Sequence, residues 1–180
     1  MEVFNPATGE DITIISMTTL NALDSILQTA KKGAENYNYS SFFRRQKLMT
    51  QLQKGIVRRA DEFIDTICSE TGKKSDEGLM EVFISLEHIK QSSHHLYEAL
   101  GKSSRRSGIL KTRKAWVEYE PMGVAGIISP WNYPLILTVS PLVEALLAGN
   151  PVVLKPSEHT PLTTQLLKRV WDESTERPEL

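Results

Sequence analysis

The sequence predicts an α/β chain in which a mainly helical front leads into a βαβ unit with parallel strands. Val124-Ala125-Gly126-Ile127-Ile128 and Val152-Val153-Leu154 are short apolar runs of the kind expected for fully buried parallel strands. Leu135 to Ala148 between them is long enough for the crossover helix that parallel strands require. Polar clusters follow each run at once, Pro130-Trp131-Asn132-Tyr133-Pro134 after the first and Lys155-Pro156-Ser157-Glu158 after the second. Open α/β sheets bind ligands beyond the carboxyl ends of their strands, so Asn132 and Lys155 stand where a ligand is expected.

The elements follow in order. An Asn5-Pro6 turn signal and a short apolar run, Ile12 to Ile15, open the chain, and Thr19 is placed to cap a helix with Leu20, Leu23, Ile26, Leu27 and Ala30 at helical spacing. Ser41 caps a second helix, in which Leu48, Leu52, Ile56, Phe63 and Ile67 form a buried face and which Gly72 ends. A third begins near Asp76, with Leu79, Val82, Phe83, Leu86 and Ile89 as its apolar stripe before the polar Ser92-Ser93-His94-His95. From Gly101 to Lys114 the absence of apolar periodicity argues for a surface connection and a boundary. Ala115 to Glu120 alternates like a half-exposed strand, and Pro121-Met122-Gly123 turns it into the βαβ unit. Thr160-Pro161 has the cap and first-turn proline of a last helix, carried by Leu162, Leu166, Leu167 and Val170 to about Trp171.

With 21 basic and 22 acidic residues the formal charge is −1, which gives no broad electrostatic reason to bind nucleic acid or an anionic membrane. One cysteine excludes an internal disulfide framework. The start Met-Glu-Val-Phe-Asn-Pro lacks the basic and apolar regions of a secretory signal, and no apolar run is long enough to span a membrane. A soluble, cytoplasmic protein is expected.

Glu120-Pro121-Met122-Gly123-Val124, Ile128 through Leu135, Ala148-Gly149-Asn150 and Lys155-Pro156-Ser157-Glu158 together resemble the NAD(P)-dependent aldehyde dehydrogenase superfamily. Asn5 through Glu10 and Glu70-Thr71-Gly72-Lys73 extend the resemblance over most of the chain. It is to the first part of such enzymes only, whose nucleophilic Cys and general-base Glu come later, so these 180 residues alone are expected to be inactive. The implied fold is a helical N-terminal region plus the first βαβ part of a Rossmann-like dinucleotide-binding domain, with a β-hairpin extension. Residues 1–114 would be the mainly helical part of the cofactor domain, 115–123 the extension and 124–180 an incomplete βαβ part. The family's extension helps subunits associate, which makes Trp116 and Tyr119 interface candidates in a homo-oligomer.

The implied chemistry is oxidation of a small-molecule aldehyde: thiolate attack on the carbonyl, hydride transfer to nicotinamide and hydrolysis of a thioester. Asn132 matches the family's amide donor to the substrate oxygen as negative charge builds there. Asn-Tyr-Pro alone reads as a cap on the helix starting at Pro134; the full motif favours the oxyanion role. Lys155 and Glu158 match the residues at the adenosine ribose, where a carboxylate accepts from both hydroxyls and repels a 2′-phosphate. NAD is the expected cofactor, with NADP open because the carboxylate can swing away and Lys155 can favour a phosphate. Pro156 and Ser157 complete that motif. Ile128, Ser129, Pro130 and Trp131 resemble the lining of the cofactor groove, although Trp131 reads equally as a core aromatic. Tyr133, Ile136, Leu137 and Ser140 correspond to the wall of the aldehyde tunnel, which the small Ser140 would widen.

No G-x-G-x-x-G fingerprint is present, and none is required in this part of the family. Cys68 lies in a helical stripe beside Phe63, Ile64 and Ile67 and reads as a small hydrophobe, not as the nucleophile. The four His residues lack metal-ligand spacing, and Arg44-Arg45, Arg58-Arg59 and Arg105-Arg106 read as solvated faces. Two other readings stay open. One is an inactive remnant or interaction module; the other is a CoA-acylating or semialdehyde-specific member of the same superfamily.

Overall fold

The computed structural model describes residues 1–109 and 111–180; Leu110, inside the stretch read as a surface connection, lies outside the described residues. The Asn5-Pro6 signal becomes a hairpin turn. Asn5 Oδ1 accepts from the Ala7 amide at 2.9 Å, and β1 (Glu2–Phe4) pairs antiparallel with β2 (Asp11–Ile14). Thr19 caps α1 (Leu20–Tyr37), its side chain accepting from Ala22 N at 3.3 Å. The expected apolar stripe carries the packing of α1 only in part: Leu20, Leu23 and Ile26 are exposed and Leu27 is half-buried, while Ala30 of that stripe is buried together with Gly33, Ala34 and Tyr37. Small residues win because the helix lies close to the end of the chain; a Cβ at Gly33 would sit 2.7 Å from Glu179 O.

The helix expected from Ser41 to Gly72 is two helices, α2 (Phe42–Arg58) and α3 (Ala60–Thr71). Neither Gly nor Pro marks the break. Arg59 leaves helical geometry at φ −119° and ψ 26°, and its guanidinium reaches Glu62 at 2.9 Å and Glu173 of the last helix at 2.7 Å. Gly72 does end α3, in the left-handed conformation. The next helix, α4 (Ser75–Leu100), runs on through Ser92–His95. Neighbours hold that polar stretch: Gln46 Nε2 donates to Ser93 O at 2.7 Å and Ser92 Oγ to Glu144 at 2.8 Å. The buried face of α4 is also rotated from the expected one, comprising Gly78, Glu81, Val82, Ser85, Ile89 and Leu96 while Leu79 and Phe83 are exposed.

Within the stretch read as a connection, β3 (Ser103–Arg105) pairs antiparallel with β4 (Ala115–Val117), an addition that the polar sequence of β3 did not signal. The βαβ unit forms as expected: β5 (Ala125–Ile128) and β6 (Val152–Lys155) are parallel, joined by α5 (Ile136–Leu147). The strands are not fully buried, however. Only these two strands pair in this sheet among the described residues, and Ile128 is 80% exposed. The chain closes with α6 (Pro161–Thr175). Tyr37, Met49, Leu52, Ile56, Phe63, Val139 and Leu146 are wholly buried at the centre, where α2, α4, α5 and α6 meet.

The ends of α5 are held by buried charge of the sign its dipole favours. At the C-terminal end Arg45, 5% exposed, donates through Nη1 to Leu147 O at 3.1 Å and through Nη2 to Asn38 O at 2.9 Å. Tyr37 adds its hydroxyl to Leu146 O at 2.8 Å. Arg45 is therefore not the solvated residue that the Arg44-Arg45 pair suggested; burial lowers its affinity for a proton and raises that of the Tyr37 phenol. Gly149 allows the approach, at φ +93° and with a would-be Cβ 2.7 Å from Arg45 Cζ.

Candidate functional site

The register of the parallel pair sets Ile128 beside Lys155, so the segments after both strands leave the same end of the sheet. Ser129 is buried and donates its amide to Lys155 O at 3.0 Å, extending the pairing by one step. The next residues turn outward, with Pro130, Trp131, Asn132 and Tyr133 exposed, before Pro134 and Leu135 return to the interior. Trp131 is 57% exposed and meets His159 edge to face at 6.5 Å, so it ties the two post-strand loops together and is not a core aromatic.

Asn132 does not cap α5. Leu135 occupies the cap position with no side-chain cap of its own, and the orphan amides are taken by a carboxylate from another helix. Glu81 of α4, 1% exposed, accepts from Leu135 N at 2.7 Å and from Ile136 N at 3.3 Å. Its second oxygen receives Lys73 Nζ at 3.0 Å, and the same ammonium lies 3.8 Å above the Tyr133 ring. Among the described residues none hydrogen-bonds to the Asn132 side chain, which leaves an exposed amide donor between the end of β5 and the start of α5.

After β6, Lys155 and Glu158 are both well exposed with Nζ and Oε2 3.8 Å apart, and Lys155 Nζ also donates to Pro156 O at 3.0 Å. The backbone amide of Glu158 and the charge of Lys155 hold the Glu158 carboxyl below its ordinary range. Ser157 is buried and fixes the turn by accepting from His159 N at 3.2 Å. Tyr133, Ile136, Leu137 and Ser140 recur at helical spacing on or just before α5. Tyr133 and Leu137 are exposed, and Ile136 and Ser140 are half-buried.

Two buried carboxylates escaped the reading of the sequence as functional or structural positions. Glu81 had one signal, its place on the stripe of Val82, Ser85 and Ile89, hidden by the more apolar Leu79 and Phe83. Glu70 accepts from Leu162 N at 2.5 Å, Thr163 N at 2.8 Å and Thr163 Oγ1 at 2.7 Å, and so caps α6 from α3. Burial pushes its carboxyl above the ordinary range against those three donors. Cys68 is half-buried, and burial together with Asp65 and Glu77 pushes its thiol up, away from the reactive thiolate. His88 faces Glu144 at 3.2 Å, and no group of three metal-ligating side chains is assembled among the described residues. No helix among them is long and apolar enough to cross a membrane.

A family model described as the aldehyde dehydrogenase family matches residues 1–179. The chain is 32% identical over 174 residues to a 3-succinoylsemialdehyde-pyridine dehydrogenase of a Pseudomonas species, covering 96% of this chain and 35% of that protein. It is 28% identical over 170 residues to the D-glyceraldehyde dehydrogenase (NADP(+)) of Picrophilus torridus, covering 94% and 34%. Among solved structures, an aldehyde dehydrogenase from Bartonella henselae superposes with a TM-score of 0.88 at 28% identity, covering 97% of this chain and 36% of that one. The chain thus spans about a third of the length of the relatives it matches.

Proposed function

The chain belongs to the aldehyde dehydrogenase family, and we propose that it serves a nicotinamide-dependent aldehyde oxidation by supplying the oxyanion donor and the ribose-binding edge of the cofactor groove. The observation that carries this is the division of labour at α5. Glu81 satisfies the helix N-terminus, so the Asn132 amide is left free at the mouth of the site. A fixed amide donor aimed at a carbonyl oxygen does little for the ground state. It gains strength as that oxygen becomes an oxyanion, and such donors contribute about 3 kcal/mol to the transition state.

The residues after β6 fit a ribose diol. Glu158 offers carboxylate oxygens that accept from two vicinal hydroxyls, and Lys155 stands beside it as a donor, both open to solvent. The Glu158 carboxyl, held below its ordinary range by its own backbone amide and by Lys155, puts a negative charge where a 2′-phosphate would lie, which supports NAD over NADP. The nicotinamide, when bound, supplies the hydride acceptor. Ile128 to Trp131 would line the groove that leads to it, and Tyr133, Ile136, Leu137 and Ser140 would guide the aldehyde towards Asn132. The small Ser140 suits substrates bulkier than two carbons. Exposed Trp116 of β4 and Tyr119 just after it suit contact with a second subunit in a homo-oligomer.

Exposed Leu79, Phe83 and Ile128 favour a chain that works against further protein surface over a free-standing interaction module. The test is an assay of the complete protein against a panel of aldehydes with NAD and NADP. Aldehyde-dependent reduction of NAD is expected, with Glu158→Gln narrowing the preference for NAD by about tenfold. A complete, folded protein that reduces neither cofactor with any aldehyde would overturn the reading.

A further inference from the structure

We propose that Lys73 and Glu81 form a positioning clamp for Asn132, acting through the N-terminus of α5 and through Tyr133. The proposal rests on the oxyanion reading of Asn132 and names the residues that would hold that donor in place. The loop from Pro130 to Tyr133 is exposed and carries no side-chain cap of its own, so something outside it must fix where Asn132 stands. Glu81 does so from α4, a separate element, by binding Leu135 N and Ile136 N, three and four residues beyond Asn132. Lys73 closes the arrangement from the turn between α3 and α4. One ammonium joins the Glu81 carboxylate at 3.0 Å to the face of Tyr133 at 3.8 Å, the residue next to Asn132.

Burial makes the clamp stiff. Glu81 is 1% exposed, its neighbour on the helix face Ser85 is wholly buried, and Ser85 Oγ donates to Glu81 O at 2.8 Å. An alternative use of a buried carboxylate, neutralising a cation alone, would not require the two α5 amides on one oxygen. Packing Leu135 and Val139, both fully buried, already anchors the body of α5. What the clamp adds is the aim of the segment that precedes it. A donor misplaced by about 1 Å loses on the order of 100-fold in rate, which is the scale on which the clamp acts.

The experiment uses the complete enzyme and compares Glu81→Ala, Glu81→Gln, Lys73→Met and Asn132→Ala at a temperature where each is folded. Glu81→Ala should lower kcat on the order of 10-fold to 100-fold, with aldehyde KM and cofactor Kd within about twofold of wild type. Glu81→Gln should recover most of that loss, since an amide oxygen still accepts from Leu135 N. Lys73→Met should fall between, and it carries the test if Glu81→Ala does not fold. Amide exchange at Leu135 and Ile136 should quicken in Glu81→Ala and not in Glu81→Gln. Wild-type kcat in a folded Glu81→Ala or Lys73→Met, or a Glu81→Gln as slow as Glu81→Ala, overturns the clamp. Should Asn132→Ala keep the wild-type kcat, the oxyanion reading falls first and the clamp falls with it.

Discussion

Arg45→Ala should be among the most damaging single substitutions away from the proposed site. The guanidinium is 5% exposed and makes hydrogen bonds to Ser40 Oγ at 3.1 Å, Leu147 O at 3.1 Å and Asn38 O at 2.9 Å. Truncation leaves the Leu147 and Asn38 carbonyls without those partners and opens a void beside Tyr37 and Phe42, whose rings lie 5.9 and 5.6 Å from Cζ. Each charged hydrogen bond is worth about 2 kcal/mol net, and relief of the guanidinium's own burial returns part of the sum. A net loss of about 3 kcal/mol follows, which in urea at about 2 kcal/mol per M is a midpoint shift of about 1.5 M. Arg45→Lys keeps the charge but not the fork, and should lose about half as much. Gly149→Ala supplies the cross-check. Its new methyl would meet Arg45 in the wild type, so its cost should shrink in the Arg45→Ala background, leaving strain at φ +93° and contact with Pro121. Equilibrium urea unfolding of the four proteins completes the cycle. A midpoint shift for Arg45→Ala below about 0.3 M would refute the assignment of a buried C-terminal clamp.

Glu70→Ala should destabilise by about 2 kcal/mol through loss of the α6 cap, read by the same unfolding assay, whereas a surface substitution such as Lys168→Ala should cost under about 0.5 kcal/mol. Cys68 should resist alkylation at neutral pH. Its raised pKa means a smaller thiolate fraction than a free cysteine at any given pH, so the rate with iodoacetamide should climb only at higher pH than for a model thiol, and a profile shifted to lower pH would contradict the assigned surroundings. Arg59→Ala should be nearly silent in the same unfolding assay, shifting the urea midpoint no more than an ordinary surface substitution, because both of its ion pairs are with exposed carboxylates.

What could be read directly from the residues was whatever depends on local chemistry. Thr19 and Ser41 cap helices, Gly72 ends one in the left-handed conformation, and the two apolar runs pair in parallel through the helix between them. The departures come from tertiary demands that periodicity cannot express. Leu79 and Phe83 outrank Glu81 and Ser85 on any hydropathy scale, yet α4 turns the polar pair inward because the α5 amides and Lys73 lie on that side. The break at Arg59 has no local breaker; its guanidinium is held by Glu173, over a hundred residues away. At the proposed site, a motif singled out Asn132, Lys155 and Glu158, but not the reason the Asn132 side chain has no partner among the described residues. That reason is a carboxylate on another helix, whose partners are backbone amides carrying no side-chain signature.

The most direct test of the account is the rate of hydride transfer in a single turnover of Asn132→Ala in the complete enzyme, measured beside its cofactor affinity. Loss of a donor to a developing oxyanion predicts a fall on the order of 100-fold to 1,000-fold with cofactor Kd unchanged within about twofold. A transfer rate within about twofold of wild type, with the variant folded and saturated, would contradict it.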